Sequence, residues 1–259
     1  MTAELQPVVD ERALVVEGNE RALVVADLHI GIEYELRREG VHIPSHTPKL
    51  LERLEHVLKY GFDRLVLLGD VKHTIGGVSP LEKAELPSVL ERLGELVHVD
   101  IVLGNHDAGI AQLVPEGVDV HPSGGVVLDG VGYVHGHAWM NSELLGADII
   151  VCAHTHPLVR FVDSLGCTVT LPCWLRTTLR GEVLSIALGS DAHDTPLVVV
   201  PAFCTLCGGV VANDPDSELL GPLFSSGAAD VEHAECYLLD GTHLGALSQL
   251  MRFSRRERG

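Results

Sequence analysis

The chain has 259 residues, a hydrophobic content of 46% with only 4% aromatic residues, and a formal net charge of -18. This length suits one domain with a large aliphatic core, and no linker-like segment divides it. No apolar run reaches the ~20 residues that a membrane-spanning helix requires, and the N-terminus lacks the pattern of a signal peptide. We therefore expect a cytoplasmic protein without a membrane partner, with one domain over residues 1–252 and a disordered basic tail over residues 253–259.

The strongly acidic composition bears on both environment and partners. The chain has 36 acidic residues against 18 basic ones, and only four of the basic residues are lysines. This balance argues against a broad basic surface that holds duplex DNA by its phosphates. It suits a salt-rich cytosol, because salt screens the repulsion among like charges. We therefore expect a halophilic source and a stability that increases with KCl.

The first part of the chain alternates between strand and helix patterns. The predicted elements are, in order, a hairpin at 13–16 and 22–26, helices at 30–38 and 47–60, a strand at 64–68, a helix at 80–96 and a strand at 97–103. Pro87 should kink or split the last of these helices. Such alternation is typical of an α/β sheet, which presents functional side chains at the carboxyl ends of its strands.

After residue 107 the pattern changes to shorter strands linked by Gly, Pro and Asp turns. The predicted strands are 118–120, 126–128, 132–134, 149–152, 159–162 and 168–171. They indicate a second, mostly antiparallel sheet. Two sheets packed face to face would give the fold class that we expect, an α/β fold in which a four-layer α/β/β/α sandwich of two mixed sheets is flanked by helices.

Five clusters of Asp, Asn and His each follow a predicted strand. They are Asp27-Leu28-His29, Gly69-Asp70, Gly104-Asn105-His106-Asp107, His135-Gly136-His137 and His154-Thr155-His156. Taken singly, each has an ordinary explanation, since an Asp can cap a helix and a lone His is more often structural than a ligand. It is hard to accept that all five clusters follow strands by accident. Together they predict one pocket for two divalent metal ions.

In a dinuclear centre the two metal ions lie ~3.5 to 4 Å apart, and a carboxylate shared by both ions is needed to hold them there. Asp70 is the predicted bridge because it lies in the middle of the series. The predicted ligands of one ion are Asp27, His29 and His156, and those of the other are Asn105, His135 and His154. His137 remains an alternative to His135.

Two residues beside the ligands are predicted to act in catalysis. His106 would stay free of metal and protonate the leaving-group oxygen, and Asp107 would orient its ring and raise its pKa. We interpret His73 and the remaining histidines as surface or structural residues. Lys72 could touch a phosphate, although a solvated lysine is the favoured interpretation.

The six cysteines are scattered through a chain that we expect to be non-secreted, so a disulfide framework is not indicated. Cys204-Thr205-Leu206-Cys207 has the CxxC spacing of a zinc half-site or a redox pair. A structural zinc site needs two further ligands, and the other cysteines supply no second CxxC. We favour small buried or half-buried thiols, and the role of Cys204 and Cys207 stays open.

In their order, the five clusters resemble the motifs of the calcineurin-like metallophosphoesterases. One position departs, since Ala153 stands where the family usually has Gly before the last His pair. More narrowly, the chain is similar over nearly its whole length to archaeal SbcD-related and ligase-associated PdeM-type phosphoesterases, through Gly69-Asp70-Val71-Lys72-His73 among other segments. The resemblance implies the four-layer fold and hydrolysis with two Mn²⁺-type ions, with Zn²⁺, Fe or Ni²⁺ as alternatives.

We therefore expect a metal-dependent phosphodiesterase that acts on a nucleotide or nucleic-acid end, with a metal-bound hydroxide as nucleophile. One alternative is a phosphomonoesterase or cyclic-nucleotide phosphodiesterase, which the low basic content favours. A second is a non-catalytic scaffold with this fold, and a third is a redox or zinc module at Cys204 and Cys207. The sequence indicates neither a protein partner nor an oligomeric state.

Overall fold

The computed structural model describes residues 3–254; the predicted tail residues 255–259 lie outside the described residues. A six-stranded sheet forms from the first part of the chain. Its strands, in spatial and chain order, are β1 (Glu4–Pro7), β2 (Leu14–Glu17), β3 (Arg21–Val25), β4 (Arg64–Leu68), β5 (His98–Val102) and β6 (Val118–His121). The first three pair antiparallel and β3 to β6 pair parallel.

Three helices accompany this sheet, α1 (Ile32–Arg38), α2 (Thr47–Leu58) and α3 (Pro80–Gly94). Helix α2 buries Leu50, Leu54 and Val57 at helical spacing. A capping box formed by Ser79 and Glu82 starts α3. Helix α3 runs through Pro87 as one element, so of the two outcomes expected there, a kink or a split, the split is wrong.

A nine-stranded sheet forms from the rest of the chain, with the strand order β13-β10-β11-β12-β9-β8-β7 and with β14 and β15 extending from β11. The strands are β7 (Val126–Leu128), β8 (Val131–Tyr133), β9 (Ile149–Cys152), β10 (Pro157–Val162), β11 (Thr168–Leu179), β12 (Thr195–Val199), β13 (Val210–Val211), β14 (Glu235–Leu238) and β15 (His243–Ala246). Three of its pairings are parallel, β8 with β9, β9 with β12 and β10 with β13. Both sheets are therefore mixed.

The strand predicted at 118–120 belongs to the first sheet rather than the second. It pairs in parallel with β5 as β6. The remaining helices are α4 (Gly181–Leu188) and the single turns α5 (Pro222–Ser225) and α6 (Leu247–Leu250), with 3₁₀ turns at Ile110–Gln112, Ser142–Gly146 and Met251–Phe253. Near the end of the described residues, Ser254 is buried and its hydroxyl donates to the Met251 carbonyl.

Successive side chains of the buried strands point alternately into two different layers of the core. In β4, Leu65 and Leu67 pack with the helices, whereas Val66 and Leu68 pack between the sheets. In the second sheet, Val151 of β9 faces the first sheet, and Ile150 faces the outer core with α4 to α6. The predicted four-layer α/β/β/α sandwich is confirmed. Within residues 3–254, every helix is too short or too polar to cross a bilayer.

Candidate metal centre

The candidate ligands lie just past the carboxyl ends of neighbouring parallel strands. Asp27 follows β3, Asp70 follows β4 and Asn105 follows β5 in the first sheet, while His135 follows β8 and His154 follows β9 in the second. The two sheets meet directly here, because His135 Nδ1 lies 2.9 Å from the Leu68 carbonyl oxygen. The fold thus brings all five predicted clusters to one edge.

The backbone at these positions is strained. Seven non-glycine residues within the described chain have a positive φ, and five are candidate ligands: Asp27, His29, Asp70, His154 and His156. Such conformations cost roughly 1–3 kcal/mol each and persist where the surroundings hold them. Here the Asp27 amide donates to the Gly69 carbonyl at 3.0 Å, and the His29 amide donates to the Asp70 carbonyl at 2.9 Å. These loop residues are therefore held in left-handed conformations by hydrogen bonds between the loops after β3 and β4.

Asp70 lies at the centre of the site. Its Oδ2 atom is 3.3 Å from His135 Nε2, 3.8 Å from His106 Nε2 and 4.0 Å from His29 Nε2. Its Oδ1 atom accepts the His106 backbone N–H at 2.8 Å. The carboxylate therefore touches residues from both predicted ligand sets, as a shared ligand must.

Three of the ligand histidines, His29, His135 and His156, have a partner on Nδ1 and direct Nε2 inward. His156 Nδ1 lies 2.8 Å from the Gly208 carbonyl oxygen, and its Nε2 lies 3.2 Å from Asp27 Oδ1. His29 Nδ1 lies 3.2 Å from His73 Nδ1, and His73 Nε2 lies 2.9 Å from Glu35 Oε2. These partners hold the rings with Nε2 directed into the centre, which is the usual outer support of metal-ligating histidines.

Unpartnered buried atoms test whether the residues fit metal ions. Nine buried side-chain atoms of residues 3–254 lack a hydrogen-bond partner. Five belong to predicted ligands: Asp27 Oδ1 and Oδ2, His29 Nε2, Asn105 Oδ1 and His135 Nε2. Buried polar atoms are rarely left without a partner, so the convergence of these five atoms fits a bound cation.

Two triads of possible ligand atoms meet at Asp70. The ligand atoms of Asp27, His29 and Asp70 lie within 4.8 Å of one another, and so do those of Asp70, His135 and His154. The residues fit two divalent ions that share Asp70. The His137 ring is in neither triad, which favours His135 as the ligand.

Ionisation differs among the candidate ligands. Burial opposes ionisation of Asp27 and Asp70, but the surrounding histidines outweigh it and lower the pKa of both carboxyls. Burial lowers the pKa of His29 to about 3 and that of His154 to about 4, so both are neutral. Burial alone would lower the pKa of His135, but contact with Asp70 and the charge of Asp27 raise this pKa to about 9. The carboxylates, His29 and His154 are thus in the forms that ligate metals. His135, and His156, whose pKa Asp27 raises against the effect of burial, would each release a proton on binding a cation.

His106 lies beside the centre, in a further group of possible ligands with His29 and His73, and Asp107 contacts backbone rather than the His106 ring. His106 Nδ1 pairs with the His73 carbonyl oxygen, and Nε2 faces the centre. The Asp107 carboxylate accepts the backbone N–H groups of Val71 at 2.9 Å and Gly104 at 2.8 Å. Asp107 therefore ties the loop after β4 to the loop after β5, and the orienting contact predicted for it is made by the His73 carbonyl.

The centre opens into a cleft with a volume of 550 Å³, and three residues near it have roles that the sequence interpretation missed. His73, considered structural, lines the cleft beside His29 and His106. Lys72, expected to be solvated, is fully buried and its Nζ donates to the Thr74 and His106 carbonyls. Cys207 also lines the cleft. Only the position of His73, three residues past Asp70, could have signalled such a role.

The substitution at Ala153 leaves the backbone undisturbed. Ala153 is fully buried and is absent from the residues with a positive φ in the described chain. Its amide donates to the His135 carbonyl at 3.0 Å. An alanine therefore serves at this position without strain.

Two facing mixed sheets, with an Asp and His centre at their strand ends, define a metallophosphoesterase-like fold. A solved structure with this fold is the nuclease MPE of Pseudomonas putida, with a TM-score of 0.51 and 21% sequence identity over 92% of this chain and 98% of that chain. The E. coli phosphoesterase Yfce is also similar, with a TM-score of 0.35 and 24% identity over 55% of this chain and 73% of that chain. Comparisons with protein-family models and with curated proteins find no match. At this level of identity, the likeness to the nuclease concerns the fold.

Proposed function

We propose that this protein is a metal-dependent phosphodiesterase that hydrolyses nucleotide or nucleic-acid ends through two divalent ions. The observation that carries the proposal is the convergence of unpartnered buried atoms from Asp27, His29, Asn105 and His135 around the shared carboxylate of Asp70. Imidazole, carboxylate and amide ligands suit Mn²⁺, Fe, Ni²⁺ and Zn²⁺. Mn²⁺ is our first candidate because of the resemblance to the calcineurin-like family.

Two bound ions would supply an activated water and neutralise the charge of a phosphoryl group. The side chains of the protein do the rest. Asp107 holds the two loops that carry Asp70 and Asn105 together. The His73 carbonyl oxygen lies against His106 Nδ1 and orients the ring with Nε2 toward the cleft. His106 is thus placed to protonate the leaving oxygen.

The substrate class rests on the cleft and on the neighbouring structure. The cleft is open, and the structure with a TM-score of 0.51 is named a nuclease, which supports a nucleic-acid end as substrate. The narrower likeness to SbcD-related and PdeM-type enzymes points the same way and is part of the proposal. Within the described chain, however, no Lys or Arg lines this cleft. That observation favours a second candidate, a phosphomonoesterase or cyclic-nucleotide phosphodiesterase whose substrate has few phosphates.

Substrate comparison separates these candidates. Metal-stripped protein is supplied with Mn²⁺ and offered bis(p-nitrophenyl) phosphate, p-nitrophenyl phosphate, 2′,3′- and 3′,5′-cyclic nucleotides and a single-stranded oligonucleotide. Preferential cleavage of the diester and the oligonucleotide is expected. Exclusive turnover of the monoester would contradict the phosphodiesterase, and binding of two ions without any hydrolysis would favour the non-catalytic scaffold.

The working environment is a further part of the proposal. The formal charge of -18 supports a halophilic, cytosolic setting, because high salt removes the repulsion that destabilises such a surface. The midpoint of urea unfolding should rise as KCl is increased from dilute buffer to molar concentrations. Equal stability at all KCl concentrations would contradict the halophilic source.

A further inference from the structure

We propose that Cys207 is an additional ligand of the ion held by Asp27, His29 and His156. The thiol would make this half of the centre selective for thiophilic divalent ions such as Zn²⁺, while the half with Asn105 keeps only oxygen and nitrogen ligands. This inference rests on the proposed metal centre. It adds a ligand that neither the sequence motifs nor the comparisons assign.

The loop that carries Cys207 is attached to the centre on both sides of the thiol. Before it, the Phe203 amide donates to the Ala26 carbonyl at 2.8 Å, and the Cys204 amide donates to the Asp27 carbonyl at 3.1 Å. After it, the Gly208 carbonyl accepts from His156 Nδ1 at 2.8 Å. The loop between β12 and β13 is therefore fixed to one ligand of this ion ahead of Cys207 and to another behind it.

The sulfur lies within ligand reach of both histidines. A ring nitrogen of His29, one of His156 and the Cys207 sulfur all lie within 4.8 Å of one another. Zinc–sulfur bonds are ~2.3 Å and zinc–nitrogen bonds ~2.0 to 2.1 Å, so a cation bound to all three atoms would draw them closer together than this limit. A second observation points to the same cation, because Asp27 Oδ1, Asp27 Oδ2 and His29 Nε2 are buried without a hydrogen-bond partner.

The two cysteines of the CxxC segment differ in their surroundings. The Cys207 sulfur lines the open cleft and donates to the Cys204 carbonyl at 3.3 Å. The Cys204 sulfur is buried and accepts the Leu206 amide at 3.4 Å. In the described part of the chain, Cys204 belongs to no group of possible metal ligands. The pair therefore contains one ligand and one structural thiol.

Thiol chemistry determines the consequence for the metal. On binding, the Cys207 S–H bond breaks, its proton passes to solvent and the thiolate donates an electron pair to the ion. Thiolates select Zn²⁺ and similar ions, whereas Mn²⁺ prefers carboxylate, carbonyl and water oxygens. We therefore expect one site of the centre to prefer Zn²⁺ more strongly than the other.

Cobalt substitution tests the assignment without measuring activity. The full chain is stripped of metal, kept reduced and titrated with Co²⁺ while the near-ultraviolet spectrum and the bound Co²⁺ are recorded. A thiolate-to-cobalt charge-transfer band should appear. It should be lost in Cys207→Ser and in Cys207→Ala, and it should persist in the matched controls Cys204→Ser and Cys167→Ser. Circular dichroism confirms that each variant is folded.

The outcomes separate this inference from the proposed function. Two Co²⁺ ions bound without a charge-transfer band, or a band that survives in Cys207→Ser, would overturn the role of Cys207 and leave the metal centre intact. Failure of the wild-type chain to bind Co²⁺ would overturn both. In metal competition, Cys207→Ser should lower the preference for Zn²⁺ over Mn²⁺ at one site, and an unchanged preference would also count against the thiol ligand.

Discussion

Replacing Gly104 with alanine should displace Asp70 without altering any ligand. An added Cβ at Gly104 would lie 3.0 Å from Cγ of Asp70 and closer still to its Oδ1 and backbone nitrogen, whereas Cβ contacts of 3.4 Å or more are ordinary. A side-chain rotation cannot relieve the contact with the backbone nitrogen, so the loops must separate. The φ of Gly104 is not positive, so the effect is steric rather than conformational.

The expected magnitude follows from overpacking and from misplacement of the bridge. Inserting a methyl group into a packed site costs about 1–3 kcal/mol of folding free energy. A displacement of about 1 Å at a catalytic group can cost about 10²-fold in rate. Gly104→Ala should therefore unfold at lower urea concentration, bind Mn²⁺ more weakly and hydrolyse bis(p-nitrophenyl) phosphate roughly 10²-fold more slowly.

A nearby loop glycine provides the matched control. An added Cβ at Gly76 meets nothing within 4 Å, and its φ is not positive, so Gly76→Ala should change neither metal binding nor turnover. The reasoning fails if Gly104→Ala binds two Mn²⁺ ions with wild-type affinity and retains wild-type turnover. That result would mean that the close approach of the two loops does not position the carboxylate.

Three further predictions concern the histidines. His106→Ala should retain both ions but lose roughly 10² to 10⁴ in turnover, the usual loss for a general acid; unchanged turnover would exclude that role. Glu35 contacts His73, which contacts the ligand His29, so Glu35→Gln should weaken metal binding by about 10- to 100-fold. Competition with a chelator measures this affinity, and a wild-type value would exclude such support of His29 by Glu35 and His73. In metal-free protein the contacts with Asp70 and Asp27 raise the pKa of His135 to about 9. The protonated ring therefore contributes its full stabilisation of the fold below pH ~6.5. Up to about 3 kcal/mol should be lost as the pH rises through 9, and urea midpoints that stay constant from pH 6 to 10 would contradict this.

The sequence predicts well both the strands and the clusters that follow them, because both are recognised from residues that are neighbours along the chain. Residues such as Leu65 to Leu68 form an uninterrupted apolar run that needs no distant information to be recognised as a buried strand, and Asp70 marks its end. Sheet membership depends on distant pairing, so the strand Val118–His121 was assigned to the wrong sheet. Helix α3 likewise continues through Pro87, and it buries Leu86, Val89 and Leu90 on either side of that residue.

Parts of the site could not be predicted because loops bring them in from elsewhere. Cys207 reaches the centre only because the segment after β12 binds to the backbone of Asp27. The contact between His73 and His106 depends on the turn that follows Lys72, whose burial has no signature in the sequence. The left-handed backbone of the ligand residues is likewise a property of the assembled loops.

The central claim is tested most directly by metal-dependent hydrolysis in an Asp70 variant. Wild-type chain, Asp70→Asn and the control Asp119→Asn, whose carboxylate is 62% exposed, are stripped of metal and assayed on bis(p-nitrophenyl) phosphate with Mn²⁺ added back. Mn²⁺ should restore activity to the wild type and to Asp119→Asn, whereas Asp70→Asn should bind fewer than two ions tightly and stay inactive. Full activity of Asp70→Asn, or two ions bound to the wild type without hydrolysis under any metal, would contradict a dinuclear phosphoesterase.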